Sequence, residues 1–133
     1  MTDISLRTEG PHSPEYTQEV GTALAESARV LNHATLGDAP GLEYPSDADR
    51  LLRDVTTMLD RLPQLLEQVR RWLNDQAVAC VVGHDQGDDV TRSVAVIGGA
   101  LISASGHLVT AAEVLRSATA KTSHLTGIGG TDE

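Results

Sequence analysis

The sequence predicts an all-α protein, an up-down-up antiparallel three-helix bundle with long helices that dimerisation completes, and three observations predict it. Apolar residues recur in steps of three and four through three long stretches. Each stretch opens beside a Ser or Asp suited to capping a helix, and glycine-bearing segments separate them. Aromatic residues are almost absent, with no Phe, two Tyr and one Trp. The core must therefore be built from Leu, Val, Ile and Ala, which suits closely packed helices better than stacked sheets.

The first helix is expected from about Pro14 to Leu36. Ser13 is the N-cap, Pro14 takes the first helical position and Glu15 complements the positive end of the dipole. Its inward positions repeat as Tyr16, Ala23, Val30; Thr17, Leu24, Leu31; and Val20, Ser27, Ala34, and Gly37 is the expected stop. "GDAPGLEYP" reads as a turn region, after which Ser46 is the expected N-cap of the second helix, with Asp49 closing an acidic variant of the capping box.

The second helix carries the strongest pattern. Leu52, Val55, Leu59, Leu62, Leu66, Val69 and Leu73 alternate steps of three and four, and Leu51, Met58, Leu65 and Trp72 form a second row one residue earlier. Two adjacent apolar rows imply two neighbours. Pro63 falls inside this pattern without resetting it, which predicts one continuous, bent helix with Pro63 on its flank. "NDQAVACVV" extends the helix by a turn or two, placing Cys80 on the seam and Gly83 at the cap. "GHDQGDD" is then a turn, and Asp88 or Asp89 caps the third helix. Its expected seam is Val90, Val94, Ile97, Leu101, Ala104, Leu108, Ala111, Leu115 and Ala118, with small residues such as Gly98, Gly99 and Gly106 allowing close approach.

At 133 residues the chain suits one domain. The expected organisation is a flexible N-terminal arm over 1–13, a single helical-bundle domain over 14–125 and a flexible C-terminal tail over 126–133. Rising 1.5 Å per residue, the second and third helices outreach the first and leave apolar seam to be covered by a second subunit or a partner. The expected interaction seam is Leu59, Leu62, Leu66, Trp72, Ile97, Leu101, Leu108 and Leu115.

A formal net charge of -9 disfavours direct nucleic-acid binding and favours solubility and basic partners. One cysteine excludes an internal disulfide and any cysteine-rich zinc site. The N-terminus "MTDISLRTEGPHSPE" lacks a signal-peptide apolar run, and no segment has about 18 uninterrupted apolar residues, so the expectation is a cytoplasmic protein without a membrane span.

Chemistry-bearing clusters are few. His84, Asp85, Asp88 and Asp89 place metal-ligand residue types in one turn, but the spacing is not that of a calcium loop and a solvated turn with a helix cap ranks ahead of a metal site. The His84-Asp85 pair resembles that of the all-helical HD phosphohydrolases, which require an upstream His and a downstream Asp; His33 stands upstream, and Asp132 is the only later aspartate. His33 and His107 lack a third inward ligand. Cys80 has no neighbouring basic residue. Phosphate-loop, nucleophile-elbow and Glu-x-x-His signatures are absent. The tail "LTGIGG" resembles encapsulin cargo-loading peptides but lacks their second apolar anchor.

Together "ARVLNHATL", "LEYPSDADRLL", "LPQLLEQVRRWL" and "HDQGDD" resemble a family of small all-helical actinobacterial proteins of no assigned activity, over roughly residues 20 to 120. The resemblance implies the helical fold and carries no catalytic residue. The expected function is a non-enzymatic helical interaction module, an adaptor or regulator that forms a homodimer and binds an unidentified protein partner, with no cofactor. The alternatives are a metal-binding or metal-dependent hydrolytic bundle using His84 and Asp85, and an acidic inhibitor of a basic nucleic-acid-binding partner.

Overall fold

Three helices and no strand make up the described residues of the computed structural model, which are 3–38 and 40–128. Asp132 and the end of the glycine-rich tail lie outside them. The helices are α1 (Pro14–Ala34), α2 (Pro45–Val78) and α3 (Val90–Thr122). The chain forms two compact units, Met1–Glu43 and Tyr44–Glu133, and each is described by itself.

In the first unit Ser13 caps α1 as expected, its Oγ accepting from the Tyr16 backbone N–H at 3.0 Å. The helix ends at Ala34, two residues short of expectation. Thr35 closes it by donating both its N–H and its hydroxyl to the Leu31 carbonyl, at 3.0 and 2.7 Å. The segment before α1 folds back onto Tyr16. The phenol oxygen accepts from the Arg7 N–H at 3.0 Å and donates to the Ser5 carbonyl at 2.9 Å. The Arg7 guanidinium lies 4.4 Å over the ring, and His12 stacks on it at 5.4 Å. One amphipathic side chain thus organises a segment with no periodicity of its own.

The second unit is a hairpin of α2 and α3. Asp49 near the start of α2 accepts a hydrogen bond from the Thr122 hydroxyl at the end of α3, at 2.6 Å. Asp60 pairs with Arg116, and a Cβ on Gly98 would stand 3.4 Å from Cγ of Arg70. As α2 advances its partners on α3 recede, so the two helices run in opposite directions.

α2 begins at Pro45, one residue before the expected cap. Proline needs no N–H partner at the first helical position, and Asp47 accepts from the Tyr44 N–H at 2.8 Å. The helix passes through Pro63 without a break, as its unreset pattern predicts. Pro63 has no N–H for the Leu59 carbonyl, which costs about 3 kcal/mol in a helix interior. Its ring is half-buried, on the packed side of the helix rather than on the exposed flank, where packing offsets that cost.

The end of α2 corrects the expectation for Cys80. Cys80 is exposed, with φ 59°, and lies outside the seam. Its N–H donates to Ala77 at 3.1 Å, and the Val81 N–H reaches back to Gln76 at 3.2 Å. These are the paired bonds of a Schellman cap, with cysteine where glycine usually stands. Asp89 then caps α3 by accepting from the Arg92 N–H at 2.8 Å.

Between the helices, a row of large residues alternates with a row of small ones. On α3, Val94, Leu101, Leu108 and Leu115 are half-buried as expected. The row beside them is Gly98, Ser105, Ala112 and Thr119, one residue later than the expected Ile97, Ala104, Ala111 and Ala118. Gly98, Ala112 and Thr119 are the buried residues of α3, and Ala112 is fully covered. On α2 the matching rows are Leu52, Leu59, Leu66 and Leu73, and Thr56, Pro63, Arg70 and Ala77; Thr56 is buried. Small side chains let the two backbones approach, and the leucines fill the gaps between them. The buried hydroxyls are satisfied within their own helices: Thr56 donates to the Leu52 carbonyl at 2.7 Å and Thr119 to that of Arg116 at 3.1 Å.

α3 is long and apolar enough, by length and composition, to cross a membrane. Its 18-residue window has a mean hydropathy of 1.6 with 11% of the window buried. Serines and glycines interrupt the apolar run, which is why it falls short of an uninterrupted span.

Two measurements check this packing. Cys80→Gly relieves the left-handed backbone and should raise unfolding stability by about 1 kcal/mol, read as a higher urea midpoint at unchanged slope. Ala112→Leu overfills the tightest point of the seam and should lower stability by about 1–3 kcal/mol in the same assay.

Candidate interaction surface

The rows that close the hairpin also fix what it leaves uncovered. Residues that follow the leucines form one edge of the seam. On this edge Asp60 of α2 meets Arg116 of α3. Asp60 and Glu67 supply charge from α2, whereas Ile102 and Val109 supply apolar surface from α3.

Residues that precede the small rows form the opposite edge. From α2 these are Val55, Leu62 and Val69, and from α3 Ile97, Ala104, Ala111 and Ala118. The row Leu51, Met58, Leu65 and Trp72 lies beside them. Exposure grows toward the end of α2: Leu51 and Met58 are half-buried, while Leu65, Val69 and Trp72 are exposed, Trp72 to 59%. Large side chains from α2 stand along one wall of this edge and alanines from α3 along the other.

Of the expected seam residues, Leu59, Leu62, Leu66, Leu101, Leu108 and Leu115 are half-buried in the hairpin, and Trp72 and Ile97 stand exposed. Sequence reasoning singled out Gly98 as a small residue beside the seam but missed Ala112 and Thr119, which complete its buried row, because it followed hydrophobicity. The available signal was size: small residues recur every seven positions beside the leucines.

Charge on the hairpin is held locally. Glu67 takes two bonds from Arg70, from Nε at 2.7 Å and Nη2 at 2.6 Å, and a third from Arg71 Nε at 3.0 Å. These bonds, led by Arg70, hold its carboxyl down at about 2. Holding the guanidinium head on Glu67 lays the Arg70 stem across Gly98, so a charged residue serves the seam through its methylenes. Asp49 is also held below the ordinary carboxylate range, first by the Thr122 hydroxyl and then by Arg53, which pairs with it at 2.9 Å.

The residues that raised metal chemistry lie in the turn between α2 and α3. His84 Nδ1 accepts from the Gln86 N–H at 3.1 Å, which places the ring proton on Nε2. Asp85 and Asp88 stand 3.7 and 3.6 Å from the ring nitrogens, and Asp89 is committed to capping α3. No three or more His, Cys, Asp or Glu side chains converge as metal ligands among the described residues. His33 on α1 and His107 on α3 are both exposed. Compared with protein-family models, curated proteins and solved structures, the chain finds no match.

The Glu67 cluster makes a pH prediction. Its folded value of about 2 lies below the ordinary 4.5, so the pairing contributes stability that is fully present above about pH 4.5 and is lost as pH falls toward 2. Glu67→Gln should flatten the dependence of the urea midpoint on pH across that window and leave the neutral-to-basic limb unchanged in shape.

Proposed function

We propose that this chain is a non-enzymatic helical interaction module, an adaptor or regulator that self-associates and binds a protein partner through an apolar helix face. The observation that carries the reading is the exposed end of the second apolar row of α2, Leu65 and Trp72, together with exposed Val69 of the first row and Ile97 on the same edge of α3. Clustered exposed apolar residues of this size mark interaction sites more often than inert surface, and tryptophan is the side chain most enriched at interface anchors. The net charge of -9 favours a partner helix whose apolar stripe is flanked by Lys and Arg.

The finer architecture belongs to the same proposal: an up-down-up three-helix order, completed by dimerisation, in one helical domain of a cytoplasmic protein. Two adjacent apolar rows on α2 support it, since one neighbour, α3, leaves Leu65, Val69 and Trp72 exposed.

The chain's only tryptophan is its own reporter. In pull-down from the native cell the wild-type chain should retain a protein partner, and adding that partner should shift Trp72 fluorescence to the blue. Leu65→Glu should weaken partner binding by about 2 kcal/mol or more with the helical circular dichroism unchanged. A partner bound equally well by Leu65→Glu, without an emission shift, would overturn the assignment of this face. For self-association, sedimentation at micromolar concentration should give a species of twice the 14.1 kDa chain mass.

A further inference from the structure

The side of α3 turned away from α2 carries a second stripe, offset by about half a turn from the seam. Arg92, Val96, Gly99, Ser103, Gly106, Thr110 and Glu113 succeed one another in steps of four and three. Every one of them is exposed, Val96 to 68%, and Ile102 beside the stripe to 60%.

Two features of this stripe suit it to a second helix. Gly99 and Gly106 each cost about 1 kcal/mol of helix propensity, yet a Cβ at either would meet nothing within 4 Å. Gly98 differs, because the Arg70 stem fills the space beside it. In addition, Arg92 and Glu113, at the two ends, form no ion pair within 4.0 Å among the described residues. Glu113 acts on Arg116 only through space.

Read from either end, the order is nearly the same: a charged residue, a β-branched residue, glycine, the central serine, glycine, a β-branched residue, a charged residue. The charges at the two ends are opposite. We propose that a second copy of this chain docks on this stripe, α3 against α3 in antiparallel orientation about a twofold axis at Ser103. Gly99 then faces Gly106 of the other copy, Val96 faces Thr110, and Arg92 meets Glu113 at both ends. The glycines let the two backbones approach closely, and Ile102 is brought against its own copy beside the axis. A twofold contact requires a self-complementary surface, and the reversal of charge from one end of the stripe to the other supplies it.

A lipid bilayer would fit the hydropathy of α3 but not its surroundings. α2 lies along the helix with the Asp49–Arg53 and Glu67–Arg70 pairs on it, and these charges would have to enter the hydrocarbon too. A second copy covers the same apolar side and leaves α2 in water.

This inference rests on the self-association proposed above, and the experiment separates the two. Sedimentation velocity of the full-length chain is compared with that of Gly99→Leu, Gly106→Leu, Arg92→Glu, Glu113→Arg and the double charge reversal. The leucine variants should remain helical and lose dimer affinity at least about a hundredfold; each single reversal should weaken it about tenfold, and the double reversal should recover most of that loss. In a Cys80→Ser background, Ser103→Cys should cross-link to itself on mild oxidation. A mixture of Val96→Cys and Thr110→Cys chains should link preferentially to each other.

A dimer insensitive to the leucines, or one in which Val96→Cys links best to itself, would overturn the antiparallel stripe while leaving self-association standing. A chain that is monomeric at every concentration removes both. Co-sedimentation of the wild-type chain with phosphatidylcholine and phosphatidylglycerol vesicles, abolished by the glycine variants, would assign the stripe to a membrane instead.

Discussion

The close approach of α2 and α3 is the constraint on which the rest of the hairpin depends. Gly98, Ala112 and Thr119 on one helix and Thr56 on the other are the buried positions, and none of them is large. Leucines alone could fill a wider space between the helices. Small residues in alternate layers bring the backbones together, and the leucines of both helices fill the space between those layers. The cross-helix ties follow from this proximity. Thr122 reaches Asp49, Arg116 reaches Asp60, and the Arg70 stem crosses Gly98.

A hairpin closed in this way leaves apolar surface uncovered, because two helices have only one mutual interface. α2 has two apolar rows, and α3 leaves Leu65, Val69 and Trp72 exposed. α3 is apolar on nearly every side, with no Asp, Glu, Lys or Arg from Ser93 to Ala112, and α2 covers a single stripe of it. The charged residues that do occur are concentrated on α2 and satisfied locally, as in the bidentate hold of Arg70 on Glu67. The middle of the uncovered α3 face is therefore free of charge, with Arg92 and Glu113 at its two ends, and this underlies the twofold contact proposed for α3.

The polar residues of the turn between α2 and α3 hold backbone ends in place. Asp89 caps a helix, His84 accepts a turn N–H, and Cys80 occupies the left-handed position that ends α2. Each looks chemically suggestive as a residue type and has a plain structural occupation in the fold.

By itself the sequence determined the three helices, the Ser13 and Asp89 caps, the unbroken passage of α2 through Pro63 and the leucine rows, because these depend on local propensity and on spacing along one helix. It placed the cap and start of α2 two residues late and α1 two residues long, since neighbouring Ser, Thr and Pro residues offer competing ways to satisfy the same end groups. Tertiary structure decided which row joins the leucines in the seam. Hydrophobicity pointed to Ile97 and its alanines, but the distance between backbones selected Gly98, Ser105, Ala112 and Thr119, a choice that exists only once the second helix is in place. It also decided that Trp72 faces outward and that the N-terminal segment is gathered around Tyr16. The uncovered apolar surface is thus the remainder of a packing choice, and the spacing of apolar residues along one chain shows that a remainder exists without showing where it lies.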